Sequence, residues 1–204
     1  MLPSLALPTS IGHAVAGAAA AWSADLVPGR RAWRTAPSDA SWYQRAGNGL
    51  TLICAIVAAA PDLDLLFHIH RTYSHSIGAV IFVGLFAAAM AANAHRPIAR
   101  VGLMCAAAYA THLLLDWMAV DFFPPRGIQA LWPFTNSYYI SGWDVFGKIE
   151  RRDMLSWPAM RVNLQAIGQE LLILGPIVWA IWLIRVKALA RLAAEMTGRD
   201  HSPQ

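Results

Sequence analysis

Long apolar runs, rather than amphipathic alternation, dominate the chain. Residues 49–67 are apolar except for Asp62 and Asp64 near their end. Residues 76–94 carry no charge; about 19 residues at roughly 1.5 Å each suffice to cross some 30 Å of hydrocarbon. Residues 98–120 are interrupted only by Arg100, His112 and Asp116, and residues 164–184 carry Gln169 and Glu170 in their first half. A fifth run, 11–24, is Ala-rich and short, so it would tilt, thin the bilayer or re-enter. Thr9 or Ser10 could cap its start. The pattern predicts an all-α fold: a polytopic membrane helical bundle of about four to five helices. Residues 1–204 would form a single integral membrane domain, with 121–163 as a surface loop region.

Composition sharpens this. Of 204 residues 57% are hydrophobic and only 14% charged, against about 25% charged in a soluble domain. The mean hydropathy is +0.42. These figures exclude a soluble repeat array, a disulfide mini-protein and a disordered chain. The net charge is +4 and the basic residues are scattered, which excludes a nucleic-acid partner. Cys54 and Cys105 both lie in apolar runs and read as buried thiols. No Lys or Arg precedes the first apolar run, unlike a cleavable secretory signal. The partner implied is the lipid bilayer; no oligomeric state is implied.

Charge also orients the chain. One side would hold Arg30, Arg31, Arg34, Arg45, Arg96, Arg100, Arg185, Lys187, Arg191 and Arg199, ten in all. The other would hold Arg71, Arg126, Lys148, Arg151, Arg152 and Arg161, six in all. The first side is expected to be cytoplasmic. The chain is thus expected in the cytoplasmic (inner) membrane. His13, Asp62, Asp64, His68, His70, His75, His112 and Asp116 then all fall at the outer, periplasmic end.

Ionisable groups at membrane depth pair, line a cavity or bind something. This set is imidazole and carboxylate, which suits zinc, manganese or iron. His112 and Asp116 are i and i+4 and share a helix face; the alternative is a simple His–Asp hydrogen bond. His70 and His75 fall in a turn, either as ligands or as solvated residues. Asp62 and Asp64 are about 200° apart on a regular helix, so both can reach one site only if Pro61 makes the backbone irregular. Otherwise one is a ligand and the other orients a histidine. His95 and His201 lie elsewhere, and Glu170 is either functional or hydrogen-bonded to a neighbour.

Several strings resemble the YdjM-type family of membrane-bound metal-dependent hydrolases: Thr9-Ser10-Ile11-Gly12-His13, Pro61-Asp62-Leu63-Asp64, His70 through Ser76, His112 through Asp116, and Leu131-Trp132-Pro133-Phe134 followed by Trp143-Asp144. Thr72 departs from the family's frequent Gly, the Asp64-to-His70 connection is short, and His68 matches no family position. A more distant likeness is to the all-helical zinc phospholipase C and nuclease group. The resemblance implies a divalent-metal site, zinc first, and hydrolytic activity on phosphoester or lipid-headgroup bonds. The expected metal ligands are His13, Asp62, His70, His75, His112 and Asp116, with His68 in reserve. Asp64 is the expected general base and Arg71 or Arg126 the holder of an anionic substrate oxygen, so the catalytic pair is Asp64 and Arg71. Two other readings remain: a small metal or proton transporter, and a structural protein whose metal staples helix ends. Residues 121–163 either lie on the bilayer over the site or pack as a cap over the helix ends.

Overall fold

The computed structural model describes residues 8–24, 48–67, 70–122, 124–150, 153 and 155–200. Among them the apolar runs form five α-helices: α1 Ser10–Ala24, α2 Asn48–Ala59, α3 Ile77–Asn93, α4 Ile98–Met118 and α5 Trp157–Asp200. Gly49–Phe67, Ile98–Trp117 and Trp157–Lys187 are long and apolar enough to cross a membrane, and α3 is a shorter apolar helix of 17 residues. Their outer faces carry Leu52, Ile56, Phe82, Leu85, Phe86, Leu172 and Trp179, all exposed. Such a surface is stable against hydrocarbon and not against water.

Small residues set the helix packing. A Cβ on Gly17 would lie 2.4 Å from Ala58 Cβ and 2.6 Å from the Cys54 carbonyl oxygen, so α1 and α2 touch backbone to backbone. Gly84 of α3 meets Ala106 and Gly102 of α4 in the same way. Dispersion and close approach drive such contacts in lipid, where no hydrophobic force separates helix from tail. The innermost cluster is Ala21, Cys54, Ala58, Met104, Cys105 and Ala108, with both cysteines buried as thiols.

Two helices differ from their expected extents. The helix after Asn48 tightens to 3₁₀ geometry over Ala60–Phe67, because Pro61 has no N–H to donate and its ring crowds the preceding turn. The last helix extends beyond residues 164–184 at both ends and reaches Asp200. Its Ala-, Leu-, Arg- and Glu-rich tail favours helix outside the membrane. Pro176 lies inside it.

Thr9 caps α1: its Oγ1 accepts from Gly12 N at 3.0 Å. Glu170 of α5 completes that cap, accepting from Thr9 N at 2.6 Å and from Thr9 Oγ1 at 2.5 Å. A Cβ on Gly12 would lie 2.5 Å from Glu170 Oε2. Glu170 therefore meets the positive end of the α1 dipole rather than the histidines. Ser76 caps α3 by accepting from Ala79 N.

Residues 121–150 pack as a cap on the helix ends. Ile77 N and Gly78 N at the start of α3 donate to Ala130 O and Trp132 O, and Ser141 N and Val145 N donate to Trp117 O and Met118 O at the end of α4. Two of the first-turn amides of α3, which have no partner inside the helix, are thus satisfied by the cap, and a third by Ser76. Among the described residues, isolated bridges join Ala119 with Phe146 and Ile128 with Tyr139.

Candidate metal centre

Four elements bring their ionisable side chains to one point. His13 lies in the first turn of α1, Asp62 and Asp64 in the 3₁₀ segment, His75 just before α3, and His112 and Asp116 in the last turns of α4. His13, His75 and His112 are fully buried, and Asp116 is nearly so. Their ligand atoms form three groups able to hold a metal ion: His13, Asp62 and His112; Asp62, His70 and His75; and His75, His112 and Asp116.

The last group is the tightest. His75 Nε2 and His112 Nε2 face each other at 3.0 Å, and Asp116 Oδ2 stands 3.1 Å from one and 3.2 Å from the other. Ligands bonded at about 2.0–2.2 Å to one ion are separated by about 3 Å. The other nitrogens set the tautomers. His112 Nδ1 donates to Ala58 O at 2.8 Å. That carbonyl can only accept, so Nε2 is left as a lone pair. His75 Nδ1 faces Asp64 Oδ2 at 3.1 Å and Ser74 Oγ at 3.0 Å. With both imidazoles neutral, two ring nitrogens and a carboxylate oxygen meet here with lone pairs inward.

The remaining donors surround this triangle. His13 stacks on His112 at 3.7 Å and its Nε2 lies 3.3 Å from Asp116 Oδ1. Asp62 Oδ1 is 3.9 Å from His112 Nε2, and its Oδ2 accepts from Ser10 at 3.1 Å. Neither nitrogen of His13, nor Asp62 Oδ1, His70 Nε2 or either Asp116 oxygen, has a hydrogen bond of normal geometry. The approaches of His13, His75 and His112 to Asp116 therefore lack hydrogen-bond geometry. Buried polar atoms without hydrogen bonds are rare and call for a ligand or a functional reason, and each of the three groups of donors is placed so that it could hold a cation. The donors are imidazole and carboxylate without thiolate, as borderline and hard ions prefer.

Asp64 is engaged differently. Its Oδ1 accepts from His70 Nδ1 at 2.5 Å, and its Oδ2 accepts from Ser74 Oγ and approaches His75. Burial opposes the protonation of His75, but Asp116 and Asp64 on its two sides outweigh it and push the imidazole up to about 9. Burial pulls His70 below its ordinary value, and Asp64 only partly offsets this.

Arg71 is not brought into the cluster. Its guanidinium donates to buried Asp121, whose Oδ2 also accepts from Gly127 N at 2.8 Å. Arg71 O accepts from Gln129 N, and Arg71 has a left-handed φ of 67°. It fastens the histidine turn to the cap. Arg126 is exposed on the cap, His95 is exposed on the α3–α4 turn, and His68 and His201 lie outside the described residues. The sequence pattern missed Asp121, the Ala58 carbonyl, Ser10, and Tyr109, whose hydroxyl donates to Ser74 O at 2.7 Å. Ser10 and Tyr109 carried a local signal, each lying three positions before a site histidine on the same helix face.

These features define an all-helical integral membrane protein with a buried His/Asp cluster able to hold a metal ion. The chain belongs to the YdjM inner membrane protein family, whose model matches residues 9–193. No curated protein matches it, and no solved structure does.

Proposed function

We propose that the chain is a metal-dependent phosphoester hydrolase with its site at the periplasmic face of the inner membrane. The observation that carries this reading is the inward convergence of His75 Nε2, His112 Nε2 and Asp116 Oδ2 within 3.0–3.2 Å. His13 and Asp62 complete the proposed ligand set, and zinc is the first choice of ion. A bound ion would supply Lewis acidity toward a phosphoryl oxygen and a water.

The chain's own residues do the rest. His70 Nε2 is buried without a hydrogen bond, while Asp64 holds its Nδ1. This pair is suited to take a proton from water as its oxygen attacks phosphorus, and to return that proton to the departing alkoxide. His70 is thus the base rather than a ligand. Asp64 acts through it and through His75, and Arg71 is a positioning residue. A structural role for the metal has one observation in its favour, the complete enclosure of His13, His75 and His112.

The test is hydrolysis of a soluble phosphodiester by the purified, metal-loaded protein. His70→Ala is expected to keep its metal and lose about 10²–10⁴ in kcat. Wild-type protein that binds metal stoichiometrically but cleaves no phosphomonoester or phosphodiester would leave the structural reading standing.

A further inference from the structure

Next to the cluster, α3 and the cap enclose an open apolar groove of about 580 Å³, within the roughly 300–1,000 Å³ common for ligand sites. Tyr73, Ala79 and Phe82 line one side, and Trp132, Pro133 and Phe134 the other. The wall is built: Tyr73 packs edge-on against Trp132 at 5.2 Å, and Gly78 N holds Trp132 O. A Cβ on Gly78 would lie 2.8 Å from the Trp132 ring, so only glycine lets the loop lie this close.

The two ends of the groove differ. One end carries Ile81 and Phe82, 53% and 68% exposed, and runs into the apolar face of α3 that continues through Leu85 and Phe86. In an inner-membrane protein that face meets lipid tails. The other end is Ser74, whose hydroxyl donates to Asp64, which also holds His70 and His75. The groove is thus continuous with the lipid-facing surface at one end and with the candidate centre at the other. An apolar trough joined to the bilayer fills with hydrocarbon, because water there is costly.

We infer that this groove holds the acyl chain of a bilayer phospholipid and presents its phosphate-bearing head at Ser74, beside Asp64 and His70. The inference rests on the hydrolase reading for its substrate meaning, but the binding itself does not require catalysis. The substrate class is then a membrane phospholipid rather than a soluble phosphoester. Phe134, 83% exposed at the rim, would sit at the level of the head groups.

The full chain would be reconstituted in phospholipid vesicles containing a phospholipid with a photoactivatable group on one acyl chain. Adducts are expected on Trp132 and Phe134 as well as on Phe86, which faces bulk lipid. Ala79→Trp, which fills the groove, should abolish the Trp132 and Phe134 adducts while leaving those on Phe86 and the metal content unchanged. It should also raise KM for a long-chain phospholipid and leave the KM of a soluble phosphodiester alone. Equal labelling of Trp132 and Phe134 in both proteins, or labelling of Phe86 alone in wild type, overturns the inference. Groove adducts in a protein that hydrolyses no phosphoester overturn the hydrolase reading and leave the lipid site intact.

Discussion

Two aspartates separated by one residue carry different burdens. Asp62 directs an oxygen without a hydrogen bond toward His112, whereas Asp64 spends both of its oxygens on His70, Ser74 and His75. Asp62→Ala is therefore expected to release the metal. Asp64→Ala should retain it with about 10–100-fold weaker affinity, the usual worth of a group that orients a ligand histidine. Metal titration of both purified variants checks this, with exposed His95→Ala as the unaffected control. The protonation of His75 adds a pH dependence. Because its value is raised from 6.5 to about 9, a cation must displace its proton. Metal affinity should then fall by up to about tenfold per pH unit below 9. The metal-free protein should show the opposite slope. Its gain from the charged His75 is complete below 6.5 and is lost as pH rises through about 9. Metal titrations and melting curves from pH 6 to 10 read both slopes.

Helix contacts built on glycine hold the cluster in register. Gly17 lies one turn below His13 on α1, and Ala58, which it touches, supplies the carbonyl that fixes His112. Gly17→Ala must push α1 from α2, against backbone rather than a flexible side chain, at a cost of about 1–3 kcal/mol. It should lower the melting temperature and weaken metal binding together. Gly168→Ala on α5 meets open space and gains helix propensity worth about 0.5–1 kcal/mol, so its melting temperature should hold or rise. Equal effects of the two changes would refute this account of the α1–α2 contact. The 3₁₀ segment matters in the same way. Tightening the helix after Pro61 reduces the angle between Asp62 and Asp64 from about 160° to about 120°, so both can be buried on the side of the histidines.

Taken as one body, the protein has two unlike ends. Trp22 and Trp182 pack together at 5.0 Å near one end, and Trp117 and Trp143 at 5.5 Å near the capped end that carries the cluster. The ten-to-six division of Lys and Arg makes the first end cytoplasmic in the proposed orientation. Reporter fusions after Arg45 and after Lys148 are accordingly expected in opposite compartments, and the same compartment for both would reverse or break this topology. In that proposed orientation, a capped site with an apolar trough beside it would suit a substrate that arrives from the outer leaflet.

The membrane class, the apolar runs, the cap at Thr9, and the gathering of histidines and aspartates at one end were all legible in the amino-acid order. Hydrophobic burial and helix spacing are local properties, and an alternating bundle carries every second helix end to the same side. The division of labour within the cluster was not legible. Arg71 reads as an anion-binding group until Asp121, fifty positions away, takes its guanidinium. Glu170 reads as a possible member of the site until Thr9, 161 positions away, is found against it. Asp62 and Asp64 are chemically identical in sequence, and only the facing of His70 and His75 against Asp64 separates them. Hydrogen-bond partners between helices depend on which faces meet, and that follows from close packing at Gly17, Gly84 and Gly102 throughout the bundle rather than from any one segment.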